Sequence, residues 1–289
     1  MTRRFAWTML YPGHTATDTP SLHSAARNSR VEEFVNILGV TVHNVTAAQA
    51  MESIEAFVSS GKPHKILVAN AAKLVKAQKD PELLSALRTS DLVTADGISI
   101  VLGARVFGVK LVERVTGSEH LVPLCCERAA KRGHSVFFLG AGPGVADKAA
   151  QILKERYPGL KVAGTHSPGY NVLTDESETQ RAVQAVREVS PQILFVALGT
   201  PKQEKWISRN LDALGVPVCL GVGATLDFIA GVAKHPPDWV HRIGFAWLYR
   251  LVHEPSRLWR RNLEGVIFTG LVIRERVFGR RREESPRVS

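Results

Sequence analysis

The sequence predicts an α/β domain built on a mainly parallel sheet, followed by a helical basic appendage. Two observations predict the sheet: short β-branched runs alternate with segments of helical period, and the runs end in polar or glycine residues. A third predicts the appendage, because beyond about Asp238 the strand-like runs stop while helical pattern continues. The expected organisation is an extension over 1–30, an α/β domain over 31–237 and an Arg-rich helical segment over 238–289.

Residues 1–30 are polar, carry Pro12 and Pro20, and show no sustained period. After them, Asn36 to Val42, Ile66 to Ala69, Leu92 to Ala95, Ser135 to Leu139, Lys161 to His166, Gln192 to Leu198 and Val216 to Gly221 read as strands. Between them, helical spacing runs over Ala47 to Ser59, Ala71 to Ser90 with a break at Pro81, Gly97 to Phe107 and Ser118 to Arg132. It continues over Gly144 to Tyr157, Glu176 to Val189 and Pro201 to Leu214. Regular alternation of this kind describes Rossmann-like βα units whose strands are buried on both faces.

With 289 residues, 45% hydrophobic and 22% charged, the chain has the balance of a globular protein, not of a disordered, collagenous or coiled-coil one. Its three cysteines, Cys125, Cys126 and Cys219, offer neither a disulfide framework nor paired zinc spacing, so a reducing cytoplasm is expected. The apolar stretch Phe5 to Leu10 is too short for a signal peptide, and Val216 to Ala233, interrupted by Pro217, Asp227 and glycines, reads as strand, Gly turn and helix and not as a membrane span. No membrane-spanning helix is expected.

The net charge of +10 is unevenly placed: His241 to Ser289 hold eleven Arg, no Lys and five Glu, a net of +6, leaving +4 for the first 240 residues. Arginine without lysine favours bidentate recognition of phosphate, or an anionic membrane surface. A merely solvated basic helix is the plainer reading.

In an open parallel sheet the ligand crevice lies beyond the carboxyl ends of the strands. The strand ends here are Asn70, Asp96-Gly97, Gly140 to Gly144, Gly199 to Glu204 and Gly221 to Gly223. Asn70 and Asp96 are also good helix N-caps, and Thr116 with Glu119, and Thr200 with Gln203, each read as a capping box. Residue type does not separate a cap from a pocket group; convergence on one edge does.

The spacing Gly140, Gly142, Gly144 is not G-x-G-x-x-G, and the next strand ends at His166 with no Asp or Glu placed for a ribose, so a nicotinamide cofactor is disfavoured. No Asp-x-Asp, H-E-x-x-H or His/Cys cluster appears, so no metal is expected, and neither a nucleophile elbow nor a P-loop pattern is present. Any diphosphate must then be met by arginines, and Arg114, Arg250, Arg257 and Arg260 are the candidates.

Taken together these stretches resemble the bacterial WecG/TagA/CpsF glycosyltransferases. The resemblance rests on Ile37 to Val40, Asn70-Ala71, Ala95 to Gly97, Glu113 to Gly117, Phe138 to Ala141, Tyr157 to Gly159, Gly199 to Trp206, Gly221 to Ala224, and Arg250 through Glu254-Pro255 to Arg260. Val68 stands where members often carry Thr, and Ala246 precedes Trp247 where they often carry Glu.

The resemblance implies an inverting, metal-independent transfer of a sugar from a UDP donor to a polyprenyl-diphosphate-linked acceptor. It makes Asp96 the base that deprotonates the acceptor hydroxyl, with no covalent intermediate. Asn70, Arg114 and Gln203 match positions lining the same pocket, and Thr116, Gly140 and Thr200 fall in the same matching stretches, completing the expected binding set. Arg250, Arg257 and Arg260 match the arginines that close over the donor and help the protein sit on the membrane. The location implied is the cytoplasmic side of the bacterial inner membrane, with self-association and without nucleic acid. An NAD(P)-dependent oxidoreductase and a non-catalytic basic module are the rival readings.

Overall fold

The computed structural model describes residues 33–233 and 255–279, with side chains of the last segment described from Glu264 onward. Six strands form one parallel sheet: β3 (His64–Ala69), β4 (Leu92–Ala95), β5 (Ser135–Gly140), β6 (Lys161–His166), β7 (Ile193–Ala197) and β8 (Val218–Gly221). Their order is β4-β3-β8-β7-β5-β6, every pairing parallel. The central strands are continuous apolar runs because helices cover both faces: β7 is buried at all five positions and β3 at its last five.

The expected strand Asn36 to Val42 is instead a hairpin, β1 (Phe34–Ile37) paired antiparallel with β2 (Val40–His43). Leu38 and Gly39 both take positive φ, 51° and 76°, forming the two-residue turn that matches strand twist. Alternating burial of Val35, Ile37, Val40 and Val42 turns one face of the hairpin inward.

Helices α1 (Ala47–Ser60), α5 (Val122–Arg132), α6 (Val145–Arg156) and α9 (Thr225–Ile229) accompany one core, which includes Met51, Leu121, Phe138 and Phe195. The other core joins the hairpin to α2 (Ala71–Ala77), α3 (Pro81–Arg88), α4 (Ile98–Val106), α7 (Glu176–Arg187), α8 (Lys202–Leu214) and α10 (Pro255–Phe278). The break expected at Pro81 separates α2 from α3, with Asp80 capping through Leu83 N–H at 3.1 Å. Helix α9, after the Gly221–Gly223 turn, is the short helix expected within Val216 to Ala233.

The appendage helix α10 begins at Pro255, a residue whose fixed φ and missing N–H suit a helix start. Residues 234–254, including Arg250, lie outside the described residues. Phe268 of α10, 2% exposed, lies against Gly103, where an added Cβ would be 3.0 Å from its ring. Burying such a side chain is worth about 1.5–3 kcal/mol. Glu275 accepts from Leu38 N–H at 2.8 Å and Arg276 donates to Val106 O at 3.0 Å, fixing α10 to the hairpin turn and to the end of α4.

All three cysteines are free thiols in the core, and burial pushes the Cys219 thiol up to about 12. Among the described residues no helix is long and apolar enough to cross a membrane.

Candidate active site

The carboxyl ends of β4, β3, β8, β7 and β5 are neighbours, so residues far apart in the chain meet along one edge. Asp96 N–H donates to Ala69 O at 2.8 Å, and Ala69 pairs with Ala95, which sets Asp96 beside Asn70. The N-cap of α4 is Gly97, with φ 92° and no side-chain capping bond. The half-buried Asp96 carboxylate is therefore not consumed as a cap, contrary to that reading. Asn70 does cap: its Oδ1 accepts Lys73 N–H at 2.9 Å, which turns the carboxamide nitrogen the other way.

Next to this pair stands a π-helical turn, Gly117–Leu121, where the sequence predicted ordinary helix. Half of the Thr116–Glu119 capping box forms, Glu119 N–H donating to Thr116 Oγ1 at 3.1 Å. The Glu119 carboxylate turns to Arg114 instead, 3.1 Å from Nη2, and Thr116 N–H donates to His120 Nδ1 at 3.3 Å. Arg114 is partly exposed and already holds one carboxylate, so its charge toward a ligand is reduced but not cancelled. Gly117 fits against Val222 and Thr225, where an added Cβ would be 3.4 Å from Thr225 Oγ1, tying this turn to the end of β8.

His120 was not singled out by the sequence, since a lone histidine carries no pattern. Burial lowers its pKa below 6.5, opposed by the charges of Glu119, Glu113 and Asp96 and assisted by Arg114. A histidine held neutral in the folded state contributes stability that is full above pH 6.5 and declines as pH falls below it, because the unfolded chain takes up the proton first. The urea midpoint of the parent is expected to fall more steeply from pH 7 to pH 5 than that of His120→Asn. Parallel pH curves would refute this.

Gln203 and Thr200 are at the site but turned into the protein. Gln203 is 1% exposed; its Oε1 accepts Gly223 N–H at 2.9 Å and its Nε2 donates to Glu204 Oε1 at 2.9 Å. The capping box expected at Thr200 does not form: Pro201 is the N-cap of α8, without a side-chain bond, and Thr200 Oγ1 donates to Glu204 Oε1 at 3.1 Å. Lys73 Nζ lies 2.6 Å from the same oxygen and also donates to Val68 O at 2.6 Å. This ion pair is 4% and 0% exposed, and removing one partner alone would strand a buried charge at a cost of about 3–5 kcal/mol.

Gly140 closes the edge. Ala141 N–H donates to Ala197 O at 2.8 Å, bringing the glycine loop against the end of β7. Arg257 and Arg260 are positions of the first turns of α10, and their side chains lie outside the described ones. No group of three or more metal-ligating side chains occurs among the described residues.

The fold is an open parallel α/β sheet, the class that binds ligands at its carboxyl edge, and Asp96 and Asn70 stand at that edge. More narrowly, residues 35–282 match the model of the glycosyl transferase WecG/TagA/CpsF family, and the chain belongs to that family. It is a glycosyltransferase, and neither the oxidoreductase nor the basic-module reading is favoured.

Similar proteins include the N-acetylglucosaminyldiphosphoundecaprenol N-acetyl-beta-D-mannosaminyltransferases of Staphylococcus aureus strains MW2 and NCTC 8325. Each is 30% identical over 228 residues, which is 78% of this chain and 87% of the relative.

Proposed function

We propose that the chain transfers a sugar, of the N-acetylmannosamine type, from a UDP donor to a polyprenyl-diphosphate-linked acceptor, in the assembly of a surface polysaccharide. The relatives' names supply the sugar and the class of acceptor. The observation that carries the chemistry is Asp96, held beside Asn70 by the Ala69 carbonyl and left without a capping role.

In this reading Asp96 accepts the proton of the acceptor hydroxyl as that oxygen attacks the anomeric carbon, and the UDP leaves from the opposite side with its bonding electrons. One displacement inverts the anomeric configuration. The leaving diphosphate needs positive charge more than a proton, which assigns Arg114, Arg250, Arg257 and Arg260 to it and makes a metal unnecessary. Asn70 and Thr116 orient the sugars, and Gly140 lends backbone space.

The course of α10 supports that assignment. Phe268 meets Gly103 and Arg276 meets Val106, so α10 runs in the same sense as α4. At 1.5 Å per residue, positions 257 and 260 lie about 12–17 Å above Phe268, toward the α4 N-terminus next to Asp96. The same basic segment fits an anionic membrane surface, on the cytoplasmic side where nucleotide sugars are made.

A short-prenyl diphosphate-GlcNAc acceptor, incubated with a mixed UDP-sugar pool and excess chelator, tests this directly. The expected product is heavier by one N-acetylhexosamine. Transfer that requires added magnesium would contradict the arginine assignment, and no transfer from any UDP sugar would contradict the donor.

A further inference from the structure

We propose that the buried Lys73–Glu204 pair is a positioning device that sets the orientation of Gln203 and, through it, the Gly221–Gly223 turn at the carboxyl edge of the sheet, the edge assigned above to the sugar substrates. The proposal deepens the reading of this edge as a sugar-donor pocket and rests on it.

The pair is poorly arranged for stability alone. Lys73 Nζ, Gln203 Nε2 and Thr200 Oγ1 all converge on one oxygen, Glu204 Oε1, at 2.6, 2.9 and 3.1 Å. The buried Oε2 has no partner. Two desolvated charges with an unsatisfied oxygen stabilise a core no better than apolar side chains of the same volume.

What the arrangement does accomplish is directional. A carboxamide can turn end for end at almost no steric cost, so its orientation is set by its partners. An ionised carboxylate only accepts, which forces Gln203 Nε2 toward Glu204 and Oε1 toward Gly223 N–H. Lys73 keeps Glu204 in that role, while its own backbone N–H is the group that orients Asn70. One residue thus joins the amide on the β3 end to the amide that holds the β8 end. Glu204 falls inside the motif quoted from the sequence, but Lys73 looks there like any helix lysine.

Two double variants separate orientation from mere folding. Lys73→Met with Glu204→Gln removes both charges and keeps an acceptor for Gln203; Lys73→Met with Glu204→Leu removes the acceptor as well. Both are read by thermal melting, by hydrogen exchange at the Gly223 amide, and by donor KM and kcat in the transfer assay.

The Leu variant is expected to melt near the parent yet exchange Gly223 at least about tenfold faster, because that N–H loses its acceptor. Its donor KM is expected to rise about tenfold with kcat little changed, the size of one lost hydrogen bond. The Gln variant should stay within about threefold of the parent in both. Unchanged Gly223 exchange in the Leu variant, or equal KM changes in the two double variants, would overturn the proposal. Should the Leu variant not fold, Gln203→Met in the parent carries the same expectation, and unaltered Gly223 exchange there overturns it too. Exchange that shifts as expected in a chain that transfers no sugar would leave the positioning pair standing and remove the donor-pocket reading.

Discussion

Asp96→Asn is expected to lower turnover by about 10²–10⁴-fold, the usual contribution of a positioned general base. The substitution keeps the shape of the side chain and the backbone bond from Asp96 N–H to Ala69 O, and it removes no helix cap, because Gly97 is the N-cap of α4. Folding should therefore be unaffected and the loss should lie in kcat more than in donor KM. The check is a melting curve together with initial rates on the prenyl-diphosphate acceptor. A folded Asn variant with parental kcat would remove Asp96 from the chemistry.

Gly140→Ala is expected to have the second large effect, on folding. Gly140 adopts φ 105°, and a Cβ there would lie 2.6 Å from Ala197 O, 2.7 Å from its carbonyl carbon and 3.1 Å from Leu198 N. All three are backbone atoms of a central strand and its exit, so nothing can swing aside. A loss of more than about 3 kcal/mol follows, from the clash and the backbone strain together. Gly144 offers the control: φ is 74° but no atom lies within 4 Å of the added Cβ, so Gly144→Ala should lose only about 1–2 kcal/mol. Urea unfolding of the two variants decides it, and equal losses would show that the close approach to β7 is not what demands glycine.

The sequence made the parallel sheet legible because its strands are buried on both faces and so appear as unbroken apolar runs, of which Ile193–Ala197 is the plainest. It hid the first hairpin, since Leu38-Gly39 interrupts the run from Asn36 to Val42 by only two residues, and a non-glycine at positive φ leaves no mark in composition. Asp96 and Asn70 could be found as strand-end residues, but only the pairing of Ala69 with Ala95 makes them neighbours.

Thr200 and Gln203 show a different limit. Their spacing spelled a capping box, yet a buried carboxylate at Glu204 competes for both side chains, and nothing local announces that Lys73, some 130 positions away, keeps it charged-paired in the core. His120 is hidden for the same reason: its surroundings come from a π-helical turn, which no simple periodicity describes.

The most direct measurement of the whole account is the anomeric configuration of the product, read by NMR from transfer with an α-linked UDP-N-acetylmannosamine donor. A single carboxylate base acting on the acceptor hydroxyl requires one displacement, and hence a β-linked product. An α-linked product would demand a second displacement through some other nucleophile, and would contradict the role given to Asp96.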